Sequence, residues 1–290
     1  MKAVALLDRA VRAATIVAAR HGLAVTEPVV LAHHSNALIH LAPTPVVARV
    51  ATVTAELRPG PDWLRREVKV AGYLTAVGAP VVPPSDELPP GPHEQDSLYL
   101  TFWRLTPAVG EVDAGAAGAA LREIHDALAH YGGAVPALDP LGETDRLLAR
   151  AELAPDDRGL LARAREEAAA VVSRLPQPRQ ALHGDGHLSN VILTSHGPLW
   201  CDLEDTCLGP VEWDLACLAT AARLWRDTAD ERDALDAYGE HDAALVEALV
   251  PVRALFTTAW GLHALAQGAR DSSRAARRLA WWRERYASRP

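Results

Sequence analysis

Strand-like segments are concentrated in the first third of the chain, and helical patterns fill most of the rest. Short β-branched or apolar runs separated by turn-forming residues predict antiparallel strands at residues 29–31, 37–41 and 46–50. A further strand is predicted at 97–103. Beyond Pro107 the apolar residues recur at helical spacing, except in a block of short strands within 180–209. This order predicts an α+β fold with a small sheet-containing N-terminal lobe and a larger helical C-terminal lobe.

The two predicted lobes are joined by a short connection at residues 103–107. We therefore place the N-terminal lobe at residues 1–103, ending in this hinge, and the C-terminal lobe at residues 104–290. A cleft between two lobes suits a site that closes over a small ligand.

Charge and hydropathy argue against two classes of partner. The chain has 29 Lys and Arg against 37 Asp and Glu, a formal net charge of -8, whereas a nucleic-acid binder needs surplus cations. No apolar run approaches the ~18–20 residues of a membrane span, and the apolar start is too short for a signal peptide. We therefore expect a cytoplasmic protein with no nucleic-acid or membrane partner.

The most informative segment is His-Gly-Asp-Gly-His-Leu-Ser-Asn at residues 183–190. It is followed by a predicted hairpin that leads to Asp202. Carboxylate and amide oxygens such as those of Asp185, Asn190 and Asp202 are the hard ligands that Mg²⁺ accepts together with water and substrate phosphates. A carboxylate outside the metal shell can accept a hydroxyl proton.

This motif resembles the catalytic loop and metal-binding Asp of the kinase fold. The form His-Gly-Asp-x-His-x-x-Asn, with Asp-Leu-Glu-Asp at residues 202–205, resembles the aminoglycoside phosphotransferase family, whose relatives include choline and homoserine kinases. The resemblance implies a bilobal protein-kinase-like fold, with a nucleotide-binding N-terminal lobe and a C-terminal lobe that carries the catalytic loop and acceptor site.

The resemblance also implies roles for the residues of the motif. Asp185 is the expected catalytic base, and His187 is expected to contact the transferred phosphate. Asn190 and Asp202 are the expected Mg²⁺ ligands, and Glu204 is either a third ligand or a solvated surface residue.

A nucleotide site is implied in the N-terminal lobe. Arg49 stands where most kinases have Lys, and Glu67 on the next helix is expected to hold it. The phosphate-covering loop contains no glycine in residues 32–37. The resemblance implies nucleotide-binding roles for Arg49, Glu67, Ser35, Thr101, Phe102, Trp103 and Ile192. For Ile192 an ordinary core position is the competing interpretation.

Three further polar residues are interpreted as scaffold. His183 and Asp214 are expected to hydrogen-bond the backbone of the catalytic loop. His125 lies on an apolar helix face and is expected to be a satisfied core histidine.

The predicted function is transfer of the γ-phosphoryl group of ATP or GTP, with Mg²⁺, to a hydroxyl of a small molecule. The acceptor is expected to be an aminoglycoside or another amino-containing compound, and the acidic residues of 227–247 offer either a surface for such a cation or only a solvated face. A protein substrate is not expected, because Asp214 follows Asp202 by only 12 positions and no Ala-Pro-Glu follows. The alternatives are a kinase-like nucleotide-binding protein without turnover and a metal-dependent hydrolase.

Overall fold

The computed structural model describes residues 2–33, 35–176, 179–225, 228–266 and 272–287. The chain forms two compact units. The first comprises residues 1–112, 130–133 and 190–206, and the second comprises 113–129, 134–189 and 207–290. Residues 104–112, 130–133 and 190–206, which we assigned to the C-terminal lobe from sequence, therefore group with the first unit.

The first unit is built on a five-stranded antiparallel sheet. Its strands lie in the order β1-β2-β3-β5-β4. They are β1 (Glu27–His33), β2 (Asn36–Ala42), β3 (Val46–Ala51), β4 (His93–Gln95) and β5 (Leu98–Arg104). Every residue of β3 is buried, because β2 and β5 pair with it on both sides.

Three helices accompany this sheet. Helix α1 (Lys2–Arg20) contributes a row of small residues, including Ala10, Ala14 and Val17, to the core that covers the sheet. A short helix α2 (Val53–Leu57), which the sequence pattern did not predict, precedes α3 (Asp62–Ala76).

The predicted hairpin after the catalytic motif is present in the first unit. Strand β7 (Val191–Thr194) pairs antiparallel with β8 (Gly197–Trp200). Trp200 is fully buried, and its backbone exchanges hydrogen bonds with Pro80 and Val82. The hairpin is thereby fixed to the segment that follows α3.

The second unit is predominantly helical. Its helices are α4 (Ala114–Leu128), α5 (Pro140–Leu148), α6 (Pro155–Val172), α7 (Glu212–Trp225), α8 (Thr228–Tyr238), α9 (Ala243–Ala266) and α10 (Ser272–Ala287). A small antiparallel pair, β6 (Gln180–Leu182) and β9 (Cys207–Gly209), flanks the catalytic motif in sequence. Gly118 permits the close packing of α4 on α8, because a Cβ there would lie 2.1 Å from the Ala234 carbonyl oxygen.

Helix α9 is the central helix of the second unit. It continues through Pro251 and ends at Ala266. Among the described residues, α9 is the one helix whose length and composition would allow it to cross a membrane. The prediction that no apolar segment approaches the length of a membrane span is therefore wrong on these two criteria. Half of the most apolar stretch of α9 is buried inside the protein, as in a core helix.

Candidate active site

Arg49 lies among three carboxylates of the first unit. Its Nη1 donates to Glu67 Oε2 at 2.5 Å, and its Nη2 donates to Asp202 Oδ1 at 2.6 Å and to Glu204 Oε2. The expected pairing of Arg49 with Glu67 is thus confirmed. Because Arg49 and Glu67 are almost fully buried, the ion pair has little competition from water.

Three arginines contact Glu204. Besides Arg49, Arg58 Nη1 lies 3.4 Å from Glu204 Oε1, and Arg66 donates to its backbone carbonyl at 2.9 Å. Asn36 donates a longer bond of 3.3 Å to its Oε2. Glu204 is buried, so the interpretation of a solvated surface residue is wrong.

Burial disfavours the ionised form of two carboxyl groups in this cluster. It raises the pKa of Glu67 to about 7, although Arg49 opposes the shift. Burial likewise raises the pKa of Glu204 to about 8, against the effect of Arg49 and with a further contribution from the charge of Asp202. A cation added next to these groups would favour their ionised form.

The β7–β8 hairpin brings Asn190 and Asp202 to the same end. Asn190 directly precedes β7, and Cys201, which follows β8, donates its backbone N–H to the Asn190 carbonyl at 2.9 Å. Asp202 comes next and has a left-handed backbone with φ of 67°. Such a conformation is uncommon outside glycine and is concentrated at functional sites.

These two side chains fit a Mg²⁺ ion that keeps most of its water. Asp202 is the most accessible carboxylate of the cluster, with 35% of its side chain exposed against 10% for Glu204. Its Oδ2 has no hydrogen-bond partner among the described residues. One carboxylate and one amide oxygen, with phosphates and water, match the preference of Mg²⁺. Glu204 is already engaged by arginines and fits a metal less well.

The other expected nucleotide residues lie in the same unit. Ser35 is exposed between β1 and β2, and its carbonyl accepts from Thr52 Oγ1 and from the Thr54 backbone. Ile192 is half-buried in β7. The neighbouring residue His34 lies outside the described part of the chain.

The expected hinge residues Thr101, Phe102 and Trp103 are buried within β5. Phe102 donates its N–H to the Pro90 carbonyl at 2.9 Å and accepts from the Ser85 N–H at 3.0 Å. Trp103 donates its indole N–H to Thr101 Oγ1. The backbone N–H of Phe102 is therefore occupied and has no hydrogen to offer a nucleotide base.

Asp214 organises the catalytic motif in the second unit. Its carboxylate accepts from the backbone N–H groups of His183 at 2.9 Å and Gly184 at 2.8 Å, and from His125 Nε2 at 2.9 Å. Gly186 is required beside it, because a Cβ there would lie 2.9 Å from the Asp214 Cβ. The scaffold role expected for Asp214 is confirmed.

Both expected histidine contacts are also present in this unit. His183 Nδ1 accepts the backbone N–H of Asp185 at 3.3 Å, inside the loop. His125 is buried between Asp214 and the Tyr238 hydroxyl, which lies 2.8 Å from its Nδ1. His125 is therefore a satisfied core histidine, as predicted.

Asp185 is paired with two basic side chains. Arg253 on α9 donates to its Oδ1, and His187 Nε2 lies 3.3 Å from its Oδ2. Burial alone would raise the pKa of Asp185, but Arg253 first and then His187 outweigh it and hold the pKa well below its usual value. Asp185 is therefore a carboxylate at neutral pH, the form that can accept a proton.

Sequence reasoning did not identify Arg253. It is 4% exposed and lies 5.8 Å and 5.0 Å from the ring centroids of Trp213 and Phe256. A basic residue at the centre of an otherwise apolar helix was the signal available in the sequence, because a charge is buried only with a partner.

Comparisons with known proteins place the chain in a class. The structure superposes on that of amicoumacin kinase hAmiN in complex with AMP-PNP, Ca²⁺ and Ami with a TM-score of 0.75 and 15% identity, over 96% of this chain and 94% of that one. Choline kinase LicA from Streptococcus pneumoniae gives a TM-score of 0.69 and 13% identity, over 95% and 99% of the two chains. The GDP and kanamycin complex of APH(2")-IIia gives a TM-score of 0.67 and 15% identity, over 97% of this chain and 100% of that one. The fold is therefore that of the kinase-like aminoglycoside phosphotransferases.

The sequence itself assigns the family. The profile of the phosphotransferase enzyme family, APH, matches residues 53–255. No curated protein matches the chain by sequence. The chain belongs to the phosphotransferase enzyme family and is a phosphotransferase with an alcohol group as acceptor.

Proposed function

We propose that the protein transfers the γ-phosphoryl group of ATP to a hydroxyl of a small molecule in the presence of Mg²⁺. The observation that carries this proposal is the common position of Asn190 and the accessible Asp202 at one end of the β7–β8 hairpin. A neighbouring structure contains AMP-PNP and Ca²⁺, which supports the use of a nucleotide and a divalent cation.

We assign proton transfer to Asp185. The acceptor oxygen forms a bond to the γ-phosphorus, the bond from that phosphorus to the β,γ-bridging oxygen breaks, and ADP leaves with the electron pair. The acceptor's hydroxyl proton passes to Asp185, which is ionised because of Arg253 and His187. His187 contacts the transferred phosphate.

We assign nucleotide binding to the first unit. Arg49 pairs with the phosphates through its planar guanidinium, and Glu67 holds Arg49 in place. Mg²⁺, held by Asn190 and Asp202, would neutralise phosphate charge when bound. Ile192 contacts the base. ATP and GTP are both candidates, since AMP-PNP and GDP occur in different neighbouring structures.

The acceptor is a small molecule. The neighbouring structures bind amicoumacin, kanamycin and, in a spectinomycin phosphotransferase, spectinomycin. The interval of 12 positions from Asp202 to Asp214 is too short for a segment that holds an extended peptide. A protein, nucleic-acid or membrane partner is not proposed, and a cytoplasmic location stays a prediction.

The hydrolase alternative has no support in the described residues. They contain no group of three His, Cys, Asp or Glu side chains that could hold a metal ion. A hydrolase would release phosphate from a phosphoester such as p-nitrophenyl phosphate without a nucleotide.

The test is ADP release with ATP or GTP across aminoglycosides, amino alcohols, sugars and hydroxy acids, with and without Mg²⁺. We expect release that requires both Mg²⁺ and one class of acceptor, with one phosphate gained by the acceptor in mass spectrometry. ADP release that is independent of Mg²⁺, or hydrolysis of p-nitrophenyl phosphate without nucleotide, would contradict the proposal.

A further inference from the structure

We propose that the acceptor carries an anionic group, a carboxylate or a phosphate, which Arg278 binds beside the Asp185–Arg253 pair. The inference rests on the proposed function and specifies its substrate class. It replaces the expectation of an amino-containing acceptor. All residues that carry it belong to the second unit.

Arg253 already neutralises Asp185. Arg253 is buried against Trp213 and Phe256 and donates to Asp185 Oδ1. A cationic acceptor would gain little from a carboxylate that is paired in this way. Binding a polyamine beside Asp185 would also place like charges close to Arg253.

Arg278 lies beside the same helix as Arg253. Its Nη1 donates at 2.5 Å to the carbonyl of Thr257, which lies on α9 four residues, about one helical turn, after Arg253. Within the part of the chain that the structure describes, no carboxylate pairs with Arg278, although the residue is half-buried. A buried charge without an opposite charge is costly, and an anionic ligand would remove that cost.

The charges that act on Arg278 are mainly positive. Burial, and then the charges of Arg253, Arg274 and Arg277, lower the pKa of Arg278 to about 10, and the charge of Asp185 acts in the opposite sense. The electrostatic potential at this guanidinium therefore favours an anion.

Three of the acidic residues considered for a cationic acceptor are engaged within this unit. Glu231 and Glu247, the first on α8 and the second on α9, both accept hydrogen bonds from Arg223. Asp242 accepts the backbone N–H of Leu245 at the start of α9. These three carboxylates are therefore less available to a cationic acceptor.

The experiment uses acceptor triplets that differ only in charge at one carbon. The first triplet is gluconate, glucitol and 1-amino-1-deoxyglucitol, and the second is glycerate, glycerol and 3-aminopropane-1,2-diol. ADP release from MgATP is measured for each compound, and binding of each compound is measured by titration calorimetry. We expect the anionic member of at least one triplet to exceed its partners by tenfold or more in kcat/KM or in affinity.

Variants at Arg278 distinguish the effect of its positive charge from the effect of its hydrogen bond to the Thr257 carbonyl. Arg278→Gln keeps a donor for the Thr257 carbonyl but removes the charge, so we expect KM for the anionic acceptor to rise about tenfold to a hundredfold. KM for the neutral member should change less than threefold. Arg278→Lys should retain most of the preference, and the exposed Arg158→Gln is the matched control.

The outcomes distinguish this inference from the proposed function. Phosphorylation of the neutral or cationic members as fast as the anionic ones overturns the inference and leaves the kinase activity intact. An unchanged preference in Arg278→Gln also overturns it, as does a panel in which no anionic member binds or reacts. Failure of the protein to bind MgATP would instead contradict the proposed function.

Discussion

Arg253 on α9 donates a hydrogen bond to Oδ1 of Asp185, 68 residues earlier in the chain. The pair lies in the second unit, where Asp214 fixes the backbone of the loop that carries Asp185. The arginine orients the carboxylate and keeps it ionised. It also lowers the basicity of Asp185, so the residue acts through its position more than through a high proton affinity.

Removing this arginine should shift the pH dependence of the reaction. In the native protein the pKa of Asp185 is well below its usual value, so Asp185 remains ionised and contributes no acidic limb between about pH 5 and 9. In Arg253→Met the effect of burial dominates and the pKa rises. The rate then falls as the pH decreases through the raised pKa.

The measurement is kcat/KM from pH 5 to 9 for Arg253→Met and for the control Arg253→Lys, which keeps the charge. We expect the acidic limb to appear at higher pH in the methionine variant than in the lysine variant. Identical profiles would show that Arg253 does not control the ionisation of Asp185.

Loss of Arg49 should destabilise the protein strongly. In Arg49→Met the buried carboxylates of Glu67 and Glu204 lose their shared cation, and breaking a buried pair in this way costs about 3–5 kcal/mol. Urea denaturation at pH 8 measures the loss. Arg65→Met is the matched control, since its pair with Asp62 is exposed and should contribute little. Equal effects of the two substitutions would refute the energetic role of the cluster.

Asp202 should determine metal-dependent nucleotide affinity. Asp202→Ala removes the accessible carboxylate of the first unit, so titration with ATP should show the same affinity with and without Mg²⁺. The native protein should bind more tightly when Mg²⁺ is present. Glu94→Ala, which alters an exposed carboxylate on β4, should behave as the native protein does. A preserved response to Mg²⁺ in the Asp202 variant would exclude this ligand.

Asp214 should affect the catalytic loop without contacting substrate. Asp214→Asn replaces one carboxylate oxygen, which accepts hydrogen bonds, with an amide NH₂ group, which donates them. The hydrogen bonds that this oxygen accepts from His183, Gly184 or His125 are then lost. We expect a loss of about 1–3 kcal/mol in stability and a lower kcat with little change in acceptor KM. Thermal melting and steady-state kinetics test this, with the exposed Asp236→Asn as control. A rise in KM alone would be inconsistent with a positioning role.

The sequence predicted the parts of the fold that depend on local periodicity and spacing. The strands around Arg49, the β7–β8 hairpin and the pairing of Arg49 with Glu67 agree with the structure. The geometry of a hairpin is determined by residues close in sequence. The position of Asn190 and Asp202 at the same end of the β7–β8 hairpin was therefore predictable.

The remainder depends on contacts between distant parts of the chain. The pairing of Arg253 with Asp185 and the bond of Arg278 to the Thr257 carbonyl result from how α9 and α10 pack, which periodicity does not determine. Burial of Glu204 against Arg58, which follows α2, and Arg66 on α3 arises in the same way. For the same reason, the hydrogen bonds of the Phe102 backbone to residues 85 and 90 were not anticipated.

The most direct test of the account is the substitution Asp185→Asn, which removes the proposed proton acceptor and keeps the size of the side chain. MgATP affinity is measured by titration calorimetry, and phosphoryl transfer to the preferred acceptor is measured by ADP release. We expect nucleotide affinity within a few-fold of the native value and a rate at least about a thousandfold lower. Transfer at the native rate in this variant would contradict the assignment of Asp185 as the base.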